Sequence, residues 1–160
     1  MKKIILSLII LLIILLSSLL IWYRYTDKEP IRCNSNIYAE IKSHNENKIK
    51  FNLNLNLFTI NTGSSELLLS GSVHTTNEQY IVARRLFFSS KPSDFKGFYN
   101  MKLIREERNR KDNMPDSLWQ NLLPEIQGKE FYAGIKRLSD RALLIQKLST
   151  PYFICAIAKK

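Results

Sequence analysis

Two cysteines, Cys33 and Cys155, and two histidines, His44 and His74, are the side chains of this sequence best suited to chemistry. Two cysteines are too few for a thiolate zinc site or a disulfide-rich miniprotein, and two histidines leave little for a metal centre. One bridge remains open to the cysteines. The alternative is two unpaired thiols, with Cys155 a small core residue between Phe153 and Ile157. Imidazole changes charge between about pH 5 and 8. His44, in Lys42-Ser43-His44-Asn45, and His74, after Ser70 and Ser72 on the wet face of a strand, are therefore candidates for pH sensing. The plainer reading is two dispersed surface histidines.

Enzyme templates fail in turn. Gly-x-Ser-x-Gly, His-Glu-x-x-His, Gly-x-Gly-x-x-Gly and the phosphate-binding loop are all absent. No local pattern joins a serine to a histidine and a carboxylate. Glu106-Glu107 lies in a charged run and reads as solvated surface. No enzyme, cofactor or metal is expected.

The elements around these residues begin with the apolar run Ile4 to Ile21, built only of Ile and Leu with Ser7, Ser17 and Ser18. As a helix it spans roughly 27 Å, close to the ~30 Å hydrocarbon core of a bilayer. Trp22, Tyr23 and Tyr25 follow where an interfacial aromatic belt would lie. The run exceeds a signal-peptide core, and Ser17-Ser18 leads into Leu-Leu-Ile-Trp rather than a cleavage pattern. An uncleaved anchor is expected. Lys2 and Lys3 precede it, whereas Arg24 and Lys28 are mixed with Asp27 and Glu29, which favours a cytoplasmic N-terminus and an exported body. The expected layout is a cytoplasmic tail over residues 1–3, a transmembrane signal anchor over 4–22, a stalk over 23–32 and a periplasmic domain over 33–160, held at the inner membrane.

Compartment constrains the rest. In an oxidising space two cysteines of one small domain are expected to pair. A Cys33–Cys155 bridge would close about 120 residues, worth about 4–5 kcal/mol by chain entropy. The net charge of +10 would favour nucleic acid in the cytoplasm. An exported body does not meet the genome, and its basic residues are spread and often paired, as in Arg105-Glu106-Glu107-Arg108. No direct nucleic-acid contact is expected, and the charge reads as solvated surface beside an anionic membrane.

The body reads as strands. Ile49, Phe51, Leu53, Leu55 and Leu57 alternate with lysines and asparagines over Lys48 to Leu57, a strand with one wet face. The parity slips at Phe58, as at a bulge or strand end. Asn61-Thr62-Gly63-Ser64 is a turn, and Glu66 to Thr75 places Leu67, Leu69 and Val73 on one face. Gln79 to Phe88 is apolar on both faces and reads as a central strand. Phe95 to Arg105 follows, with Phe95, Tyr99, Met101 and Leu103 in register. Leu118, Trp119, Leu122 and Leu123 form a short amphipathic helix between Pro115 and Pro124. Glu130 to Leu138, Ala142 to Leu148 and Tyr152 to Ala158 complete about eight hairpin-linked strands. The expected fold is mainly β (α+β): an N-terminal transmembrane helix and a small antiparallel half-barrel or barrel-like domain with one short helix. The aromatics Phe87, Phe88, Phe95, Phe98, Tyr99, Trp119, Phe131 and Tyr132 supply a core, an apolar cavity or a face for another protein.

A Lys-Lys start, an Ile/Leu anchor ending in Trp22-Tyr23, Cys33 after a stalk, a Pro-flanked helix and Cys155 in the last strand together resemble a group of small inner-membrane accessory proteins. These are the PsaF/MyfF proteins of Yersinia fimbrial operons and the FidL-like proteins, the former closer in size and layout. The ToxR/ToxS and VtrA/VtrC pairs are similar in plan. The resemblance implies a non-enzymatic partner that binds and protects the periplasmic tail of a membrane-bound winged-helix transcription activator and supports expression of adhesin genes. In the VtrA/VtrC plan the two domains jointly build a lipocalin-like barrel, which adds a small apolar ligand to the candidate partners. Only Cys33 and Cys155 correspond to the group in position and type. The rival expectations are a periplasmic ligand- or pH-sensing module and an accessory protein of envelope assembly.

Overall fold

The fold was analysed in a computed structural model that describes residues 2–26, 31–42, 48–61, 63–123, 126 and 130–158. Helix α1 (Lys2–Thr26) carries the apolar run, and its described side chains are exposed throughout. Residues Lys3–Tyr23 are long and apolar enough to cross a membrane.

The body is a closed antiparallel barrel of eight strands in simple chain order. The strands are β1 (Arg32–Lys42), β2 (Lys48–Asn61), β3 (Ser64–His74), β4 (Gln79–Pro92), β5 (Phe98–Arg108), β6 (Glu130–Ser139), β7 (Ala142–Gln146) and β8 (Pro151–Ile157). Helix α2 (Asp116–Leu122) lies between β5 and β6. The expected barrel-like fold is thus present, and a short β1–β8 pairing closes it. In a meander of this kind the β2–β3, β4–β5 and β6–β7 turns share one end with the start of β1. The plug that precedes β6 occupies the opposite end.

Alternation sets the interior. Phe51 and Leu55 on β2, Leu69 and Val73 on β3, and Val82, Leu86 and Phe88 on β4 are buried together with Met114 and Trp119. A second cluster joins Cys33, Leu143, Ile145 and Cys155. The outward asparagines of β2 are poor strand formers, but they form a ladder. Asn54 donates to Asn36 across the β1–β2 pair at 2.8 Å, and Asn56 donates to Asn54 at 2.7 Å.

Several expectations change: β4 runs past Phe88 to Pro92, β7 ends at Gln146 rather than Leu148, and Glu106, read as solvated surface, bonds the buried Arg84. Strand β5 starts at Phe98, not Phe95, because Gly97 at φ +83° and the Ser93 hydroxyl, which accepts from the Phe95 N–H and donates to the Phe98 carbonyl, build a turn there. The strand also runs past Arg105, since Glu106 to Arg108 pair with Arg84 to Leu86. The second apolar-looking face of β4 is the outer wall of the barrel. Phe87 lies beneath the guanidinium groups of Arg105 and Arg85, at 4.1 and 6.0 Å, and of the apolar residues on this outer face Ile81 is the exposed one.

Gly71 fixes the β2–β3 register. Its φ is +152°, and a Cβ there would meet the Asn52 carbonyl oxygen at 2.0 Å. Gly71→Ala is expected to destabilise the barrel by about 3 kcal/mol or more. Gly63→Ala, whose Cβ would meet nothing nearer than 3.9 Å, should cost under about 1 kcal/mol. Urea midpoints of the two variants check the contrast.

Candidate functional site

Two features of the barrel are built from specific side chains: a buried arginine under the plug and the seam where β1 meets β8.

Arg84 occupies an inward position on β4, between Val82 and Leu86, and its side chain is 3% exposed. A charge placed there must be fully paired. Its Nε donates to Asp112 Oδ2 at 3.0 Å and its Nη1 to Glu106 Oε1 at 2.6 Å. Its Nη2 donates to Asp112 Oδ1, the Met114 carbonyl and Asp116 Oδ1. The guanidinium also lies 4.5 Å from the centre of the Trp119 ring. Asp112, fully buried, in turn accepts from the backbone N–H groups of Ala83 and Met114. Arg108 reinforces the cluster through the carbonyls of Asp112 and Met114.

These bonds assemble the plug. The segment after β5 runs along the edge of β4, with Asn109 N–H to the Ala83 carbonyl and Asn113 N–H to the Ile81 carbonyl. The chain then turns inward at Met114, enters α2 at Pro115 and buries Trp119 in the barrel mouth. Burial alone would raise the Asp112 pKa. The Arg84 hydrogen bonds and charge, with the Ala83 and Met114 N–H groups, outweigh it and hold the carboxyl below its usual range. Burial likewise opposes the charge on Arg84, and Asp112 and Glu106 reverse that effect.

At the seam, β1 and β8 share two residue pairs, Cys33↔Ile157 and Asn34↔Ala156. The Ala158 N–H adds a bond to the Arg32 carbonyl. The Cys33–Cys155 disulfide lies just inside and joins residues 122 apart in sequence. Beyond Asn34 the strands part, and among the described residues neither β1 from Ser35 nor β8 from Pro151 to Cys155 pairs with a strand on that edge. Asn34, Ser35, Asn36, Ala142, Ile154 and Ala156 line an open groove of ≈ 330 Å³ along the gap. Outward-facing Tyr38 (72% exposed) lies further along β1, and Ile154 (57%) and Tyr152 lie on β8. Natural edges usually carry charge, proline or cover; here Glu40 and Lys42 on β1 and Pro151 on β8 do so, and the exposed apolar groups Tyr38 and Ile154 stand beside them.

The remaining candidates are placed as follows. His44 lies outside the described residues. His74 is half-buried at the end of β3 and shares a hydrogen bond with the Ser72 hydroxyl at 3.2 Å, but no carboxylate bonds its ring. Among the described residues no three His, Cys, Asp or Glu side chains group as metal ligands. The aromatic-rich interior is packed with side chains, and the described grooves are open to the surface. Arg84 and Asp112 escaped the sequence reading. The available signal was a cation in phase with Val82, Leu86 and Phe88; its partner 28 residues on carries no local mark.

A small closed barrel on an apolar N-terminal helix, stapled by one disulfide, defines a membrane-associated β-barrel module. The family described as FidL-like putative membrane protein matches residues 71–155, more than half of the chain, and the chain belongs to it. The matched stretch includes the Arg84 cluster, the plug and Cys155, and leaves out α1, β1 and β2. No curated protein matches the chain. Membership and α1 together are consistent with single-pass membrane anchoring.

Removing one partner of a buried ion pair leaves the other uncompensated, so Arg84→Ala and Asp112→Ala are each expected to cost about 3–5 kcal/mol, and Arg84→Met less. The depressed Asp112 pKa contributes stability that is complete above the unfolded carboxyl value of about 3.9 and is lost as pH falls through the folded value. Thermal melts between neutral pH and pH ~3 should therefore drop less in Asp112→Asn than in the native chain. Cys155→Ser, which frees the long loop, should lower stability by about 4–5 kcal/mol before strain is considered, read from denaturant midpoints with and without reductant.

Proposed function

We propose that this chain is a non-enzymatic accessory protein that binds and stabilises the exported domain of a membrane-bound winged-helix transcription activator and so supports expression of fimbrial or adhesin genes. Single-pass anchoring in the inner membrane, with the N-terminus cytoplasmic and the barrel periplasmic, belongs to the same proposal. The observation that carries it is the open β1/β8 seam. Unpaired strand edges take an extended segment of another chain through main-chain hydrogen bonds, and side chains beside them supply selectivity. Tyr38, Tyr152 and Ile154 fit that second task. Anchoring two proteins in one membrane raises their effective concentration, so a seam of a few residues suffices. In this reading the barrel acts through its seam rather than through its interior.

Photocrosslinking in native membranes tests the proposal. A crosslinker replacing Tyr38 or Ile154 should capture a membrane regulator, whereas one replacing Ile104, exposed on β5 away from the seam, should not. Tyr38→Asp with Ile154→Asp should lower the regulator's steady-state level and target transcription while leaving the barrel's own level unchanged. Capture from Ile104 alone, or normal regulator level and transcription in the double variant, would overturn it.

A further inference from the structure

We infer that the barrel end bearing the β4–β5 and β6–β7 turns docks on an anionic lipid bilayer surface, so that the body lies on the membrane rather than swinging above it. Chain length comes first. Helix α1 ends at Thr26 and Ile31 bonds into the barrel, its N–H donating to the Thr59 hydroxyl at 2.7 Å. Five residue steps span at most about 18 Å. The end where β1 starts is therefore held near the bilayer, and the turns at that end share the position.

Those turns have the composition a lipid surface recognises. Arg32, Lys91, Lys96, Arg137 and Arg141 are exposed there, against the acids Asp94 and Asp140. Among the described residues none of the five cations is ion-paired to a carboxylate. At the other end Lys48 and Lys50 pair with Glu40, and Arg108 with Asp112 and Asp116, while the exposed Lys42, Arg110 and Lys111 pair with no carboxylate among the described residues, so the short tether is what selects the docking end. Two large apolar groups accompany the free cations: Phe95, 51% exposed and steadied edge-on by Tyr132, and Leu138, 49% exposed. Basic side chains around an exposed phenylalanine and leucine match anionic headgroups above an acyl boundary. Ordinary solvated turns require neither apolar group. The inference needs an anchored α1 but neither orientation nor a protein partner.

Hydrogen exchange on the full chain in lipid nanodiscs tests it. In phosphatidylglycerol discs, amides 93–97 and 138–141 should exchange about tenfold more slowly than in phosphatidylcholine discs, and high salt should reverse the difference. The opposite turn, Thr75 to Glu78, should not change. Combined Lys91→Glu, Lys96→Glu and Arg141→Glu, at exposed positions, should abolish the protection without moving the melting midpoint. Inorganic phosphate added to phosphatidylcholine discs should give no protection. Equal exchange in both discs, protection that survives charge reversal, or protection by phosphate alone would each overturn the docking surface.

Discussion

An antiparallel sheet of eight strands has two edges unless its first and last strands meet, and in this protein they meet over only two residue pairs. The Cys33–Cys155 disulfide lies at that contact. Six of the eight ladders join strands linked by short turns, and a seventh, β5–β6, spans the plug. The eighth joins residues 122 apart and carries the largest single loop-closure cost. A covalent bond there removes much of that cost from the unfolded side. It also allows the seam beyond Asn34 to stand open without the barrel uncurling. An open edge and a stable barrel are compatible because the closure does not rest on hydrogen bonds alone.

The opposite end is secured differently. Arg84 has no aliphatic substitute that could gather a strand, a loop and a helix at once. Its guanidinium links Glu106 of β5, Asp112 and Met114 of the plug and Asp116 of α2, and Trp119 stacks over it. A buried ion cluster is weak evidence for stability as such, since apolar residues of equal volume often do as well. Its directional bonds set where the plug sits, an outcome that non-directional apolar burial would leave open. Helix α2 has seven residues, too short to form by itself in water. Trp119 burial and the Arg84 cluster hold it.

What the sequence made legible was whatever depends on short-range pattern. The anchor, the hairpins, the helix between Pro115 and Pro124 and the inward set Phe51, Leu55, Leu69 and Val73 follow from periodicity and turn chemistry. The strand limits at Phe98 and Arg108 did not, because a serine-built turn and pairing with β4 override the apolar pattern. The two-sided look of β4 misled for a physical reason. Arginine side chains cover an aromatic ring as well as a second sheet does, and no hydropathy pattern distinguishes the two. The Arg84–Asp112 pair is a tertiary fact with no local signature. The open seam is likewise invisible in sequence, since Asn34 to Lys42 reads like any other half-wet strand.

The two ends of the barrel and its seam therefore divide the work by the kind of force each uses. The plugged end relies on directional, desolvated bonds that resist salt. The anchor-side rim presents cations that no described carboxylate pairs, where attraction is long-ranged but screened within about 8 Å at physiological ionic strength. The seam offers main-chain groups and apolar side chains, which act only on contact. A body tethered by a short stalk and oriented by its charged rim would present the seam at a fixed attitude to neighbours in the same membrane. Orientation of that kind would reduce the rotational freedom a partner must remove on binding, so that even a shallow groove on a small barrel could serve as the contact the proposed function requires.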